Sequence, residues 1–251
     1  MTAEFPDHFS GVAALYARSR PTYPAELFTW LASTVEHRGV VWDCATGSGQ
    51  AAVALAALFG RTIASDASQQ QLEQAVRAPG ISYLCCTAES VPLADSTLDL
   101  ITVAQALHWF TRDAFYAEVR RLLRPNGVIA AWTYGKCLVV GKPAITAILD
   151  DFHDRIVWPF WPPERSHVDS GYTQIDFPFA RLPVPSLEMR RTWTLDELIA
   201  YLGSWSSVSR YQAECGADPR SLIVDILRAH WGDGDTRQEL VWPLGVLAGR
   251  A

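Results

Sequence analysis

The chain has 251 residues, of which 49% are hydrophobic and 19% charged, and its formal net charge is −6. That is the composition of a globular chain with one large domain, and it excludes a disordered or collagen-like one. An acidic balance argues against nucleic acid as a partner. No run reaches the roughly 18 uncharged apolar residues of a membrane span. The start, Met1 to Asp7, lacks the apolar stretch of a secretory signal, so the cytoplasm is the expected location.

The elements follow in chain order. Residues 24–37 read as a helix with Pro24 in its first turn; Leu27, Trp30, Leu31 and Thr34 share one face. Val40 to Trp42 is a short buried strand. A glycine-rich turn leads into an alanine-rich helix, Ala51 to Phe59, stopped by Gly60. Thr62 to Ser65 is the second strand. Ser68 caps a helix bearing Leu72, Ala75 and Val76, which Pro79-Gly80 ends. Ile81 to Cys86 and Leu98 to Ala104 are the third and fourth strands. Between the fourth and fifth, Phe115, Val119, Leu122 and Leu123 recur at helical spacing. Arg124 to Gly127 is a turn, and Val128 to Tyr134 is the fifth strand. Beyond 135 the pattern changes. Proline-aromatic clusters such as Trp158-Pro159-Phe160-Trp161 appear, with helices near 143–156 and 194–212 and strands at Ser186–Thr192 and Val241–Ala248. The alternation predicts an α/β fold: a doubly wound, mostly parallel, seven-stranded sheet with a helical and irregular lid.

Such sheets bind ligands at the carboxyl ends of their strands. The first strand ends in Asp43-Cys44-Ala45-Thr46-Gly47-Ser48-Gly49-Gln50. Two glycines let a ligand approach the backbone, and the following helix aims its N–H groups at it. Gly47-x-Gly49-x-x-Ala52 also fits a dinucleotide fingerprint. Asp43 weighs against that reading, because an acid at this buried strand end suits a cationic ligand, such as a sulfonium, better than a pyrophosphate. Asp66, seventeen residues past Gly49, stands where a carboxylate can accept both hydroxyls of a ribose. Thr87-Ala88-Glu89 follows the third strand, and Gln105 and His108 follow the fourth.

The segment Asp43-x-Ala45-x-Gly47-x-Gly49 resembles the first motif of class I S-adenosylmethionine-dependent methyltransferases. Asp66, Ala88-Glu89, Leu98 to Val103 and Leu123 to Gly127 resemble the later motifs in order and spacing. Tyr16 to Pro24 and Gln105 to Phe110 are similar to the small-molecule branch related to trans-aconitate methyltransferases. The resemblance implies a Rossmann-like methyltransferase fold with S-adenosyl-L-methionine as cofactor. It implies that Gly47 and Gly49 pass beneath the methionine and ribose, that Asp66 binds the ribose, and that Ala67, Gln71, Ala88 and Glu89 surround the adenine. Gln105 would sit by the methionine moiety, with Tyr16 and Arg20 closing over the cofactor. The family's first motif glycine is Ala45 here, and its methyl narrows the turn. On this reading residues 1–38 form a lid segment and first helix, 39–135 the cofactor-binding core, and 136–251 a substrate lid with the last two strands, all in one structural domain.

Methyl transfer from a sulfonium asks the protein mainly to position and desolvate. The expected partner is a small-molecule acceptor, methylated on an oxygen of a carboxylate or hydroxyl. A carboxylate needs no base. For a hydroxyl, His108 is the candidate catalytic base, since an ordinary imidazole titrates near neutrality; the alternative is that it packs beside Trp109 or orients the substrate. Arg18, Arg20, Arg165, Arg190 and Arg191 are candidates for an anionic acceptor, and Trp158 and Trp161 for facing a pocket. No metal-ligand spacing is visible. Cys44, Cys85 and Cys86 lie in apolar runs and read as buried free thiols. The competing functions are a nicotinamide-dependent oxidoreductase and a non-catalytic S-adenosylmethionine-binding protein.

Overall fold

The computed structural model describes residues 21–251. Strands β1 (Val40–Cys44), β2 (Arg61–Asp66), β3 (Ile81–Cys85), β4 (Leu98–Ala104) and β5 (Leu123–Tyr134) are parallel. β6 (Leu138–Val139), β7 (Ala180–Arg181) and β8 (Glu188–Trp193) precede the long β9 (Gln238–Arg250), which runs antiparallel to each strand it pairs. The sheet order is β3-β2-β1-β4-β5-β9-β6. The chain winds outward from β1 to β3, then crosses back to β4. The ends of β1 and β4 therefore flank the point where the order reverses, the usual position of a ligand crevice.

The alternation of β5 builds both faces of the sheet. Val128, Ala130 and Trp132 pack with α1 (Ala25–Ser33) and α2 (Gln50–Ala56) through Leu27, Leu31 and Leu55. Ile129 and Ala131 pack with α4 (Arg112–Leu122) through Phe115, Val119 and Leu122; α3 (Gln69–Gln74) is the short helix between β2 and β3. A separate apolar cluster holds the lid. It joins α5 (Pro143–Asp151), α7 (Leu195–Gly203) and α9 (Val224–Trp231) to the first half of β9 through Leu149, Phe152, Leu198, Trp205, Trp231 and Trp242. Two further helices, α6 (Arg165–Asp169) and α8 (Ser206–Cys215), lie in the same region.

The architecture is the doubly wound, mostly parallel α/β fold that the sequence predicts, with differences that have physical causes. The sheet has nine strands, not seven, because β9 is thirteen residues long and its second edge pairs both β7 and β8. The first helix ends at Ser33. α3 stops at Gln74, because Ala75 turns extended and the Val76 N–H donates to Ser48 O (3.1 Å), tying this segment to the glycine turn. The helix expected over 143–156 changes to a π-helical turn at Phe152–Ile156, and that over 194–212 breaks at Ser204-Trp205. Cys44 is buried, but Cys85 is exposed and Cys86 half-buried. Among the described residues no helix is long and apolar enough to cross a membrane.

Candidate active site

The glycine turn at the end of β1 is a left-handed backbone. Ala45 (φ +53°), Gly47 (φ +53°) and Gly49 (φ +80°) all take a conformation that favours glycine. At Gly49 there is a second constraint: a Cβ there would lie 2.7 Å from the Tyr83 hydroxyl oxygen, which donates to Val76 O. Gln105, at the end of neighbouring β4, is left-handed as well (φ +58°). Non-glycine residues in this region are strained, and they concentrate at functional sites. Here two of them end the strands that flank the crevice.

Asp43 is buried, and its carboxylate accepts from the Thr46 hydroxyl (2.5 Å) and the Thr102 hydroxyl (2.8 Å). Burial raises its pKa to about 6, against the lowering effect of these hydroxyls and of the Ala52 N–H. The structure corrects the reading of Asp43 as a partner for a cation. Its oxygens fasten the turn to β4 and to α2. Asp66 accepts from the Gly47 N–H (2.9 Å) and the Ser68 N–H (2.9 Å), so it stands beside the turn at the end of β2. Gln71 on α3 reaches within 3.9 Å of where a Gly47 Cβ would lie. Ala67 is half-buried and Ala88 buried. Glu89 accepts from the Thr111 N–H (3.0 Å), which joins the β3–β4 connection to the start of α4. Tyr16, Arg18 and Arg20 lie outside the described residues.

Next to this turn a cleft of about 610 Å³, measured out to its open mouth, lies between the sheet edge and the lid. Gln105, His108 and Trp109 from the end of β4, with Tyr134 and Gly135 from the end of β5, form one side. Trp161, Pro162, Arg165, Tyr201 and Trp205 face them. Gln105 does not extend its amide into the open space: Nε2 donates to Tyr134 O (3.0 Å), and Oε1 accepts from the Thr133 hydroxyl (2.6 Å). Arg165 lies over the Trp161 ring, 4.2 Å from its centroid, and its Nε donates to Asp169 (2.9 Å).

His108 is buried, 3.0 Å from the Tyr172 hydroxyl through Nδ1, and its ring centroid is 4.8 Å from that of Trp109. Burial, with the charges of Arg165 and His167, lowers its pKa to about 3. This corrects the sequence expectation of a base that titrates near neutrality. The ring is neutral throughout the physiological range.

Arg165 and Trp161 are the candidates from the second half that reach the cleft. Arg190 is exposed and pairs with Glu188 and Glu239, Arg191 donates to the backbone of Arg190, and Trp158 is exposed. Sequence reasoning missed Thr133, Tyr134, Tyr172, Tyr201 and Trp205. Thr133 and Tyr134 carried a signal, as the last residues of a predicted strand; the placement of Tyr172, Tyr201 and Trp205 depends on how the lid folds back.

Residues 42–131 match a family model described as a methyltransferase domain. A Dictyostelium discoideum protein named as a methyltransferase is 33% identical over 241 residues, which cover 93% of this chain and 90% of that protein. A Schizosaccharomyces pombe protein, named as an uncharacterized methyltransferase, is 29% identical over 204 residues, 79% of this chain and 78% of its own length. A solved structure named as a type II methyltransferase from Anaeromyxobacter dehalogenans is similar at a TM-score of 0.86 and 42% identity, covering 92% of this chain and 97% of that one.

Proposed function

From the fact that the chain belongs to the methyltransferase family, we propose that it transfers a methyl group from S-adenosylmethionine to an oxygen of a small-molecule acceptor lodged in the aromatic cleft. The observation that carries this reading is the position of the cleft. It opens beside Gln105, on the strand next to the one that ends in the left-handed glycine turn. Membership in the methyltransferase family overturns the oxidoreductase alternative.

The residues present fit the cofactor. A Cβ at Gly47 would meet nothing nearer than the Gln71 amide oxygen at 3.9 Å, Asp66 offers a carboxylate beside the turn, and Ala88 offers an apolar contact for a flat base. Asp66 would hold the ribose, Gln71, Ala67, Ala88 and Glu89 would border the adenine, and Gln105 would border the methionine end. Bound there, S-adenosylmethionine supplies a methyl group activated as a sulfonium. Asp43 holds the turn rigid through Thr46 and Thr102, and the tryptophans exclude water from the acceptor. The trans-aconitate-like branch is part of the same proposal and rests on the resemblance of Tyr16 to Pro24 and Gln105 to Phe110.

The test is a thermal titration. S-adenosylhomocysteine at 100 times its Kd should stabilise the protein by about 2.7 kcal/mol. At about 2–4 °C per kcal/mol for a chain of this size, Tm should rise by roughly 5–11 °C. Asp66→Asn should abolish most of that rise, and NADH should give none. A rise with NADH alone, or none with S-adenosylhomocysteine, would overturn the cofactor assignment. Turnover is then read as S-adenosylhomocysteine formed with hydroxyl and carboxylate acceptors.

A further inference from the structure

Among the described residues, Arg165 is the one permanently charged side chain that lines the cleft, and no carboxylate lines it. Its guanidinium is held from two sides. The Nε N–H donates to Asp169 Oδ1 (2.9 Å), one turn further along α6, and the group lies over the Trp161 ring, 4.2 Å from its centroid. A guanidinium carries five N–H donors, four of them on the two terminal nitrogens. Neither terminal nitrogen makes a hydrogen bond among the described residues, although the side chain is only 15% exposed. The outer edge of the fork is therefore open to whatever occupies the cleft.

The inner edge is fixed by the fold. A Cβ at Gly135 would lie 3.3 Å from Asp169 Oδ1 and 3.7 Å from its Cα, so the glycine that follows β5 lets α6 seat against the end of the sheet. Asp169 Oδ2 is 3.6 Å from Nε2 of His153, a buried ring. Nδ1 of His153 meets Asp154 at 2.7 Å, and Asp154 accepts from Lys136 Nζ (2.9 Å). Burial lowers the His153 pKa, so this ring is neutral near pH 7 and leaves the Asp169 charge to Arg165. The rings of Trp161 and Trp205 pack on His153 at centroid distances of 5.9 and 5.7 Å. The wall that carries the guanidinium is thus packed from behind, and the fork is held in place before any ligand arrives.

We propose that the open edge of Arg165 anchors a carboxylate of a flat acceptor, and that the methyl group goes to a separate hydroxyl oxygen of the same molecule. The inference deepens the proposed function and rests on it for the reaction. Two parallel N–H groups on one guanidinium edge match the two oxygens of a carboxylate. Asp169 offsets part of the Arg165 charge at a distance, so the grip comes from these N–H groups at contact. A sulfonium bound beside the cleft adds positive charge to a space that no carboxylate of the described residues lines, which favours an anion there. The gripped group is the anchor and not the acceptor for two reasons. The fork occupies the lone pairs a nucleophile needs, and methylation of that carboxylate would cancel the charge the fork holds. The rings of Trp109, Tyr134, Tyr201 and Trp205 around the cleft suit a planar body. In the transfer the hydroxyl oxygen forms its bond to the methyl carbon as the carbon–sulfur bond breaks and leaves its pair on sulfur. The hydroxyl proton leaves to water at the open mouth.

Two measurements test this. The first is titration calorimetry of protein loaded with S-adenosylhomocysteine, comparing 2-naphthoate with 2-naphthamide, which has the same shape and no charge. The naphthoate should bind at least about tenfold more tightly, the worth of one charge-assisted hydrogen bond. Arg165→Gln should erase that preference, and Arg165→Lys, a point charge without the fork, should restore only part of it. Equal binding of the two probes to the native protein, tighter binding of the naphthamide, or binding of neither would overturn the anchor, with no variant needed. The full preference retained in Arg165→Gln would overturn it as well. The second measurement separates anchor from acceptor. After incubation with the native protein and S-adenosylmethionine, the naphthoate should be recovered unchanged, and the appearance of methyl 2-naphthoate would overturn the division between the two groups. Failure of S-adenosylhomocysteine itself to bind would instead overturn the proposed function, and the two probes would then be compared on the unloaded protein.

Discussion

Replacing Gly49 by alanine separates two costs that the glycine turn combines. Gly49 and Gly80 have almost the same backbone, φ +80° and +81°. A Cβ at Gly80 would meet nothing within 4 Å, whereas one at Gly49 would lie 2.7 Å from the Tyr83 hydroxyl oxygen and 3.7 Å from the Val76 nitrogen. Gly80→Ala therefore reports left-handed strain alone, about 1–2 kcal/mol, reduced by the about 0.4–1 kcal/mol that alanine removes from unfolded-chain entropy. A net loss of about 1 kcal/mol is expected. Gly49→Ala adds overpacking, about 1–3 kcal/mol, because Tyr83 is anchored to Val76 O at 2.6 Å and cannot swing away without breaking that bond. The total should be about 2–4 kcal/mol. Urea unfolding followed by tryptophan fluorescence measures both variants. Tyr83→Phe removes the atom that clashes, so Gly49→Ala should cost about 1–2 kcal/mol less in that background than in the native one. Equal losses for Gly49→Ala and Gly80→Ala, or no coupling to Tyr83, would refute the reasoning.

Three further outcomes are expected. Ala45→Gly relieves strain at φ +53° but loosens the unfolded chain, so stability should change by less than about 1 kcal/mol and S-adenosylhomocysteine affinity should not fall; both are read in one thermal titration. Asp43 binds its proton more tightly folded, with a pKa of about 6, than unfolded, at about 3.8, so this contribution to stability is full below about pH 4 and is lost as pH rises through 6. Relative to Asp43→Asn, the native chain should lose about 3 kcal/mol across that window in urea unfolding at stepped pH. Arg121 pairs with Asp95 and Glu118 and donates to the Val91 and Leu93 carbonyls, so Arg121→Ala should cost about 2 kcal/mol and speed amide exchange over residues 89–97.

What could be read from the sequence was local chemistry. β1, β2, β4 and α4 follow from short apolar runs and from Phe115, Val119 and Leu122 on one face, because neighbours along the chain decide those patterns. The same locality put Asp66 and Gln105 at strand ends. What could not be read was the use made of each polar group once buried. Asp43 looked like an open charge because one of its two hydroxyl partners, Thr102, is 59 residues away, and the other, Thr46, reaches it only once the turn is folded. His108 looked like an ordinary imidazole because Tyr172, Arg165 and His167, which set its state, come from a segment whose path no local pattern dictates. The lid gave the weakest signal for the same reason. Its apolar cluster joins Phe152 and Trp205 to Trp242 on β9, and such contacts leave no period in the chain.

β9 also sets a schedule for folding. It pairs with β5, β6, β7 and β8, so the parallel core and the lid share one strand that is made after all its neighbours. Val128 meets Arg250 and Leu138 meets Val241, contacts that span more than a hundred residues of chain. The loop-closure entropy for these contacts must be met before they return any stability. Until β9 docks, β5 has an open edge and the lid has no floor, and the chain is exposed to wrong pairing. The refolding rate should therefore respond most to changes in β9, while α1 and α2 form early from near neighbours. The cleft, bounded by the ends of β4 and β5 on one side and by the lid on the other, closes only in that last step.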